Sequence, residues 1–456
     1  MNKHLHLVGI GGIGMSGLAL LLLKKGYRIS GSDIKESRIL EKLINLGAEV
    51  YIGHSEKNIK GADLLIYSSA IKEDNLEIRM ARRENISLVK RAEALAELMR
   101  DKITITVTGA HGKTTTASLI AWLLLKENFS PCFALGGILR RLGENALLGE
   151  GEYFVIEADE SDGTFLKFSP SYSVITNIDC EHIDFYGDFE NLLNSFKDFI
   201  ANTKDCLIVC GDDLNLRDIL KDYKRKYLFY GKDPDCHIRA GDVKLLSLSS
   251  EFNCIYQGEN LGRVSLPLAG IHNVINSLAV IGLGIELGMD FDRIRDTLRS
   301  FPGLERRLQV KVKSKDLLLI DDYGHHPTEI KATLEAAKNC GYKRLICVFQ
   351  PHRYSRTKLL FEEFCKCFDS ADLLIITDIY SANEEPVEGI SSQVLLEGLK
   401  SSSKRDCLFL PKEEIVEYLL NIVSPGDLIM TLGAGDIGRI GDELAERIKE
   451  GIKIKF

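Results

Sequence analysis

The sequence lacks the features that mark several classes of protein. The apolar run from Leu18 to Leu23 is far shorter than a membrane-spanning helix and follows glycines rather than a basic segment. A formal net charge of −8 argues against sequence-independent binding of nucleic acid. The eleven cysteines show neither CxxC nor Cys/His spacing, so they predict no zinc site and no disulfide framework. Free thiols in this number are typical of the cytoplasm, where we expect the protein to act without membrane or nucleic-acid partners.

The chain is too long for a single hydrophobic core, and its 456 residues suggest about three domains. Strand-like and helix-like patterns alternate throughout, which predicts α/β domains. The pattern restarts near residue 101 and is interrupted again at Phe301-Pro302-Gly303. We therefore predict a Rossmann-like domain over 1–100, a central domain over 101–301 and a second Rossmann-like domain over 302–456. Few helix signals occur between 233 and 267, so we expect a mixed sheet in the central domain.

A glycine-rich loop follows the first predicted strand. Gly9, Gly11 and Gly14 satisfy the pattern GxGxxG before a helix, and Asp33 ends the next strand at the spacing of a ribose-binding acid. Such glycines let the backbone approach a diphosphate at the helix N-terminus. NAD, FAD and a UDP-sugar fit equally well, and a tight turn without ligand is the alternative. Residues 433–438 match the same pattern, and we interpret this second loop as structural or marginal to a shared site.

The loop after the strand at 103–107 is more specific. Lys113 can place a cation between the β- and γ-phosphates of ATP, and Thr114 can offer its hydroxyl to Mg²⁺. The loop predicts a P-loop-type ATP-binding domain, although Val107 stands where a full Walker A motif has glycine. The alternative is a chance Gly-Lys-Thr at a helix start. The seven predicted phosphate-loop residues are Gly109, Ala110, His111, Gly112, Lys113, Thr114 and Thr115.

Carboxylates and a histidine follow the next two predicted strands of this domain. Glu157, Asp159, Glu160 and Asp162 lie within six positions and would repel one another without a cation among them. His182 follows a strand near 173–177. Carboxylate oxygen and imidazole beside a phosphate loop suit a divalent cation. Solvated loop acids are the alternative, but the neighbouring phosphate loop favours metal.

Three further polar clusters are candidate binding sites. His272, Asn273 and Asn276 could read a nucleotide base or cap a helix. The segments 321–327 and 350–356 both follow predicted strands, where open α/β sheets bind ligands. Within the second segment, Arg353 and Arg356 could clamp a carboxylate, or they could be solvated surface arginines.

Taken together, these motifs resemble those of the Mur ligase family, and the resemblance covers essentially the whole chain. The matching segments, in order, are GIGGIGMSG at 9–17, TGAHGKTTT at 108–116, EADESD at 157–162, TNIDCEHIDFYGDFENL at 176–192, GIHNVINSLA at 270–279, the arginine pair at 306–307, DDYGHHPTE at 321–329, QPHRYSRT at 350–357 and GAGDIG at 433–438.

The resemblance implies an ATP-dependent ligase of peptidoglycan precursor synthesis. The segments at 321–329 and 350–357 are similar to those of the branch that joins L-alanine to UDP-N-acetylmuramate through an acyl phosphate. The branch that recycles murein tripeptide differs there. An NAD-dependent oxidoreductase would leave the loop at 109–115 without a role, and a regulatory ATPase would leave the third-domain motifs without one. We expect ATP and Mg²⁺ as cofactors and a monomer or homodimer.

The same resemblance implies roles for individual residues. Lys113, Glu157 and His182 would be catalytic. Thr114 and Glu157 would ligate one Mg²⁺, and His182 would ligate a second. The phosphate loop would bind ATP together with His272, Asn273, Asn276, Arg307 and Asp322. UDP-N-acetylmuramate would contact Gly9, Gly11, Gly12, Gly14, Met15, Ser16, Asp33 and Ser69. L-alanine would contact Tyr323, His325, His352, Arg353 and Arg356.

Overall fold

The structure is a computed structural model that describes residues 3–402 and 406–450. Its strands belong to three sheets, and helices alternate with most of them along the chain. The predicted α/β fold class is therefore confirmed. The few residues of the predicted first and third domains at 1–2, 403–405 and 451–456 lie outside the described residues.

The first sheet is parallel in every pair and has the order β3-β2-β1-β4-β5. All five residues of β1 are buried, as expected for a central parallel strand. The strand order reverses beside β1, and a ligand crevice forms at such a reversal. The strands are β1 (His4–Val8), β2 (Arg28–Asp33), β3 (Glu49–Ile52), β4 (Leu64–Tyr67) and β5 (Ser87–Lys90), and the α-helices are α1 (Ile13–Lys24), α2 (Arg38–Asn45), α3 (Leu76–Arg83) and α4 (Arg91–Met99).

The second sheet has ten strands in the order β15-β14-β13-β12-β11-β10-β6-β9-β7-β8. Strand β6 pairs in parallel with β9 and β10, while β7 and β8 are antiparallel. The sheet is therefore mixed as predicted, although this antiparallel pair lies outside the stretch 233–267 on which the prediction rested. Its strands are β6 (Ile103–Thr108), β7 (Cys132–Leu139), β8 (Glu144–Leu147), β9 (Tyr153–Glu157), β10 (Tyr172–Ile175), β11 (Cys206–Cys210), β12 (Tyr227–Gly231), β13 (Ile238–Leu245), β14 (Ser250–Tyr256) and β15 (Glu259–Leu266). The helices of this part of the chain are α5 (Lys113–Lys126), α6 (Ile183–Tyr186), α7 (Phe189–Asn202), α8 (Leu214–Ile219), α9 (Ile271–Glu286) and α10 (Phe291–Arg299).

The third sheet has the order β16-β17-β21-β18-β19-β20, with an antiparallel edge strand that the sequence analysis missed. Apolar residues alternate between its faces: Leu318 and Ile320 pack in one buried cluster, Leu317 and Leu319 in the other. Its strands are β16 (Gln309–Lys313), β17 (Leu317–Asp322), β18 (Arg344–Phe349), β19 (Leu373–Ile376), β20 (Asp406–Phe409) and β21 (Asp427–Leu432), and its helices are α11 (Pro327–Lys338), α12 (Tyr354–Leu359), α13 (Phe361–Phe364), α14 (Ser392–Ser402), α15 (Lys412–Ile422) and α16 (Gly438–Lys449).

The described chain divides into two compact units. The first unit contains the first sheet and most of the second, and the other contains the third sheet with residues 242–252 and 263–274. The predicted domain boundaries near residues 100 and 301 stay predictions. Within residues 3–402 and 406–450, the helices lack the length and apolar run that a membrane span needs.

Candidate active site

The phosphate loop joins the buried strand β6 to α5, and its backbone has a shape that glycine permits. Gly109 and Gly112 have φ of +119° and +86°, in the range that residues with a Cβ rarely adopt. Asn177, just beyond β10, clamps the loop: its carbonyl accepts from the Ala110 N–H at 3.1 Å, and its side-chain oxygen accepts from the His111 N–H at 2.9 Å. The loop is thus held at the N-terminus of a 14-residue helix, where backbone donors and the helix dipole favour phosphate.

Lys113, the first residue of α5, turns back over this loop. Its ammonium donates to the Gly109 carbonyl at 2.7 Å and contacts both oxygens of Glu160 at 2.8 and 3.0 Å. Burial favours the neutral form of Lys113, but Glu160 and Asp159 outweigh it and raise the lysine pKa above its ordinary value. Burial also raises the pKa of Glu160, to about 7, against the opposing effect of the Lys113 charge. The positive charge of the loop therefore persists at neutral pH.

Thr114 and Glu157, both predicted to ligate metal, are direct neighbours. The Thr114 hydroxyl donates to one Glu157 oxygen at 3.0 Å, and the Gly136 N–H donates to the other at 2.5 Å. Parallel pairing of β6 with β9 explains the arrangement, because it brings the ends of both strands to one edge of the sheet. Hydroxyl and carboxylate oxygens form the kind of donor set that Mg²⁺ prefers, so these residues fit the predicted ion.

His182, the third predicted metal ligand, lies in a different group. Ligand atoms of His182, Glu160 and Glu181 all lie within 4.8 Å of one another. His182 has φ of +59°, an uncommon value for a residue with a Cβ and one often found at functional positions. One imidazole and two carboxylates also suit a divalent cation. The structure therefore places His182 near Glu160 and Glu181, and groups Thr114 with Glu157.

The first glycine loop is fixed by the acid predicted to bind ribose. Asp33 accepts a hydrogen bond from the Gly11 N–H at 2.8 Å. The Ser16 hydroxyl is likewise engaged within its own helix, where it donates to the Ile13 carbonyl at 3.0 Å. Both residues therefore support the loop, and their predicted contacts with UDP-N-acetylmuramate stay predictions.

A cleft of about 290 Å³ runs from this loop to the phosphate loop. Gly12, Gly14, Met15 and Ser69 line it on one side, and Lys113, Glu157 and Asp159 line it on the other. Arg91, at the start of α4, also lines the cleft and lies close to Gly14: a Cβ on that glycine would be 2.8 Å from the guanidinium. Arg91 is not among the predicted site residues, because nothing in its local sequence distinguishes it from the surface arginines.

The three residues predicted to face the adenine lie in the first turns of α9. The Asn276 side chain lies against Gly112 of the phosphate loop, since a Cβ there would be 2.7 Å from its oxygen. Asn273 donates to the Ala269 carbonyl at 2.7 Å, a local contact with the segment that precedes the helix. Burial and then the Arg307 charge lower the pKa of His272 to about 4, so its ring is neutral and available for stacking at neutral pH.

Asp322 and Arg307 are positioned by the end of β17. The buried Asp322 carboxylate accepts from the N–H groups of Leu308 at 2.7 Å and Gly324 at 2.8 Å. Arg307 lies 3.5 Å from Glu329, with its guanidinium 5.5 Å from the centre of the Tyr323 ring. Asp322 thus holds the turn that carries Arg307. Direct contact of either residue with ATP stays a prediction.

Most of the residues predicted to bind L-alanine form a cluster in the other unit. His352 stacks on Tyr380 at 5.5 Å, and its ring centre is 5.8 Å from that of His325. Arg356 donates to Nδ1 of His352 at 3.1 Å, so this imidazole is neutral and carries its proton on Nε2. Burial and then Arg356 lower the pKa of His352 to about 4. The Arg356 guanidinium therefore lies against the His352 ring.

Arg353 does not contact the histidines as Arg356 does, and its backbone is strained. Its φ of +72° with ψ of 138° lies in a region that residues with a Cβ rarely adopt. Its side chain is 3.9 Å from Glu384, a residue that the sequence analysis did not single out. In the described structure the two predicted carboxylate-binding arginines thus have different partners, Glu384 and His352.

The second glycine loop, at 433–438, is tied to its own unit by side chains. Arg306 donates to the Gly435 carbonyl at 2.9 Å and to the Gly433 carbonyl at 2.5 Å. Gln350 donates to Asp436 at 2.7 Å. These contacts favour the structural interpretation of this loop.

The sequence was also compared with models of known protein families. The chain matches three family models: the Mur ligase family catalytic domain over residues 4–103, the Mur ligase middle domain over 107–284, and the Mur ligase glutamate ligase domain over 306–435. The chain belongs to the Mur ligase family.

Individual proteins of this family are similar to the chain over nearly its whole length. The chain is 45% identical to the UDP-N-acetylmuramate–L-alanine ligase of Geotalea uraniireducens over 98% of both chains. It is 46% identical to the Syntrophus aciditrophicus ligase of the same name, over 98% of this chain and 94% of that one. Among solved structures, UDP-N-acetylmuramate-alanine ligase from Thermotoga maritima matches with a TM-score of 0.87 and 29% identity, over 99% of this chain and 100% of the other.

Proposed function

We propose that this protein joins L-alanine to the lactyl carboxylate of UDP-N-acetylmuramate at the expense of ATP, as a step in peptidoglycan precursor synthesis. The observation that carries the proposal is the cleft shared by the first glycine loop and the phosphate loop. A sugar diphosphate bound at the first loop and ATP bound at the second would present their reacting groups to one shared cleft. Whole-length similarity to L-alanine ligases selects the amino acid.

The chemistry requires activation of the carboxylate, because oxide is a poor leaving group. A lactyl oxygen attacks the γ-phosphorus of ATP, ADP leaves, and an acyl phosphate forms. Lys113 stabilises the charge that moves between the phosphates, since its ammonium stays protonated in this acidic environment. Bound Mg²⁺ would supply further charge neutralisation, and we propose that Thr114 and Glu157 hold one ion and that His182 holds a second.

Amide formation then consumes the activated intermediate. The neutral amine of L-alanine attacks the acyl carbon, the tetrahedral intermediate expels phosphate, and the nitrogen loses a proton. We propose that Arg356 binds the carboxylate of L-alanine, with the neutral His352 and His325 lining its site. Exclusion of water is necessary, because water would hydrolyse the acyl phosphate.

Phosphate release tests this function directly. We expect the purified protein to release phosphate from ATP only when UDP-N-acetylmuramate and L-alanine are both present. Glycine, L-serine and murein tripeptide serve as comparison substrates in place of L-alanine. Faster turnover with the tripeptide, or ATP hydrolysis that requires no muramyl substrate, would contradict the assignment. The cytoplasmic location and the monomeric or homodimeric state stay predictions.

A further inference from the structure

Glu160 is a buried carboxylate for which the proposed reaction gives no role. It is 2% exposed, and both of its oxygens contact the Lys113 ammonium. The same ammonium lies 2.7 Å from the Gly109 carbonyl and 3.3 Å from the Ala110 carbonyl. An ammonium has three N–H donors, so these protein groups use its full donor capacity. Any phosphate that Lys113 binds must therefore displace one of them.

We propose that Glu160 is a positioning residue that holds Lys113 in the phosphate loop until the phosphates of ATP replace it. This inference rests on the proposed role of residues 109–115 in binding ATP. Lys113 lines the cleft, whereas Glu160 is almost fully buried and is not among the residues that line the cleft. Lys113 thus contacts a buried counter-ion and also lines the space that ATP would enter.

The backbone of Glu160 is held firmly enough for this role. Its carbonyl accepts from the Tyr186 hydroxyl at 2.5 Å and from the Gly163 N–H at 3.1 Å. The neighbouring acids are engaged in local turns: Asp159 accepts from the Ser161 N–H, and Asp162 accepts from the Thr164 N–H and hydroxyl. Glu160 is therefore the member of this acidic segment that is placed to compete with ATP for Lys113.

The competition has a measurable consequence. A lysine engaged by Glu160 in the free protein lowers the apparent affinity for ATP, because the competent arrangement is only part of the population. Glu160→Gln keeps the size of the side chain and removes its charge. We expect ATP to bind this variant on the order of tenfold more tightly, within the range of typical coupling between sites. The KM for ATP should fall in parallel, without an increase in kcat.

Titration calorimetry of the whole protein with ATP tests the proposal. Binding is measured in EDTA, so that metal ligation does not contribute, and KM and kcat are measured with MgCl₂. Asp162→Asn is the matched control, since it makes the same chemical change two residues away, and it should bind ATP like the unaltered protein. The proposal is overturned if Glu160→Gln binds ATP no more tightly in EDTA, or if Asp162→Asn shows the same gain.

A second variant covers the case in which Glu160→Gln does not fold, which a thermal melt would reveal. Glu160→Asp keeps the charge but shortens its reach to Lys113, so it should bind ATP more tightly than the unaltered protein, and an unchanged affinity would overturn the proposal. The substrate dependence of phosphate release in the unaltered protein is a separate measurement. It tests the proposed ligase function without involving Glu160, so the two ideas can fail independently.

Discussion

At the scale of single residues, hydrogen-bond donors of the protein stabilise the four carboxylates that lie close together at residues 157–162. The sequence pattern suggested a metal ion among them. The structure shows protein donors at each one: the Lys113 ammonium at Glu160, the Gly136 N–H and Thr114 hydroxyl at Glu157, and backbone N–H groups at Asp159 and Asp162. Repulsion between the acids is therefore relieved without metal, and the case for Mg²⁺ rests on the donor set.

The buried Lys113–Glu160 pair should affect both the stability of the fold and the activity. Lys113→Ala should abolish phosphate release while UDP-N-acetylmuramate still binds. It should also destabilise the fold by about 3–5 kcal/mol, because it leaves Glu160 buried without its cation. Adding Glu160→Gln should restore most of the stability and none of the turnover. Urea unfolding together with the phosphate assay checks both parts. A single variant as stable as the unaltered protein would contradict the buried pair.

The lowered pKa of His272 should make the stability of the fold depend on pH. Its folded pKa of about 4 lies below the ordinary histidine value of 6.5. The unfolded chain therefore binds more protons between these values, and stability falls as the pH is lowered from about 6.5 to about 4. His272→Gln should lose less stability over this interval than the unaltered protein. Urea unfolding at pH 7.5, 6 and 5 measures the difference. Parallel losses in both proteins would exclude a contribution from His272.

At the scale of secondary-structure elements, the β7–β8 hairpin connects Glu157 to the end of the first glycine loop. Gly136 in β7 donates to Glu157, and Asn145 in β8 donates to the Ile13 carbonyl at 2.6 Å. Ile13 is the first residue of α1, directly after the first glycine loop. One hairpin thus touches the predicted metal ligand at one end and the predicted UDP-sugar loop at the other.

Asn145→Ala should therefore affect the sugar nucleotide more than ATP. Loss of a hydrogen bond worth about 1 kcal/mol would raise the KM for UDP-N-acetylmuramate roughly fivefold, since the loop would be less well held. The KM for ATP should change little. Asn421→Ala is the control, because it removes an exposed amide whose contact lies within α15. Equal effects of Asn145→Ala on both KM values would argue against a specific role at the first loop.

Helix α12 carries the proposed amino-acid contact. Arg356→Ala should raise the KM for L-alanine by about ten- to a hundredfold, because a charged hydrogen bond contributes about 1.5–3 kcal/mol. Lys358→Ala removes a positive charge from the exposed face of the same helix and should leave this KM unchanged. Steady-state kinetics with varied L-alanine compares the two. A similar effect of both changes would indicate a general loss of charge rather than a specific contact.

At the scale of the whole molecule, the thiols provide a reporter of the ATP site. Cys180 is exposed, Cys340 is intermediate, and the other nine cysteines are buried. Burial raises the pKa of Cys206, Cys210 and Cys254 to about 12, which further suppresses their reactivity. Cys180 follows Asp179, whose carboxylate contacts His111 of the phosphate loop at 2.9 Å.

We therefore expect one fast-reacting thiol per folded chain. ATP with Mg²⁺ should slow its reaction with a thiol reagent severalfold, because the ligand would restrict the loop that carries Cys180. Absorbance-monitored labelling measures the rate, and Cys180→Ser should remove the fast phase. A fast phase that survives this substitution, or that ATP does not alter, would contradict the expectation.

The sequence by itself determined the α/β class and the positions of most strands and phosphate-type loops, because apolar periodicity and glycine spacing are local properties. It also marked Lys113, Glu157 and His182 as chemically important. Only the tertiary structure decided which groups meet: Glu160 with Lys113, Arg91 with Gly14, and Asn145 with Ile13. The reason is physical. Such partners lie tens to more than a hundred residues apart, and the strand order and packing of the sheets bring them together.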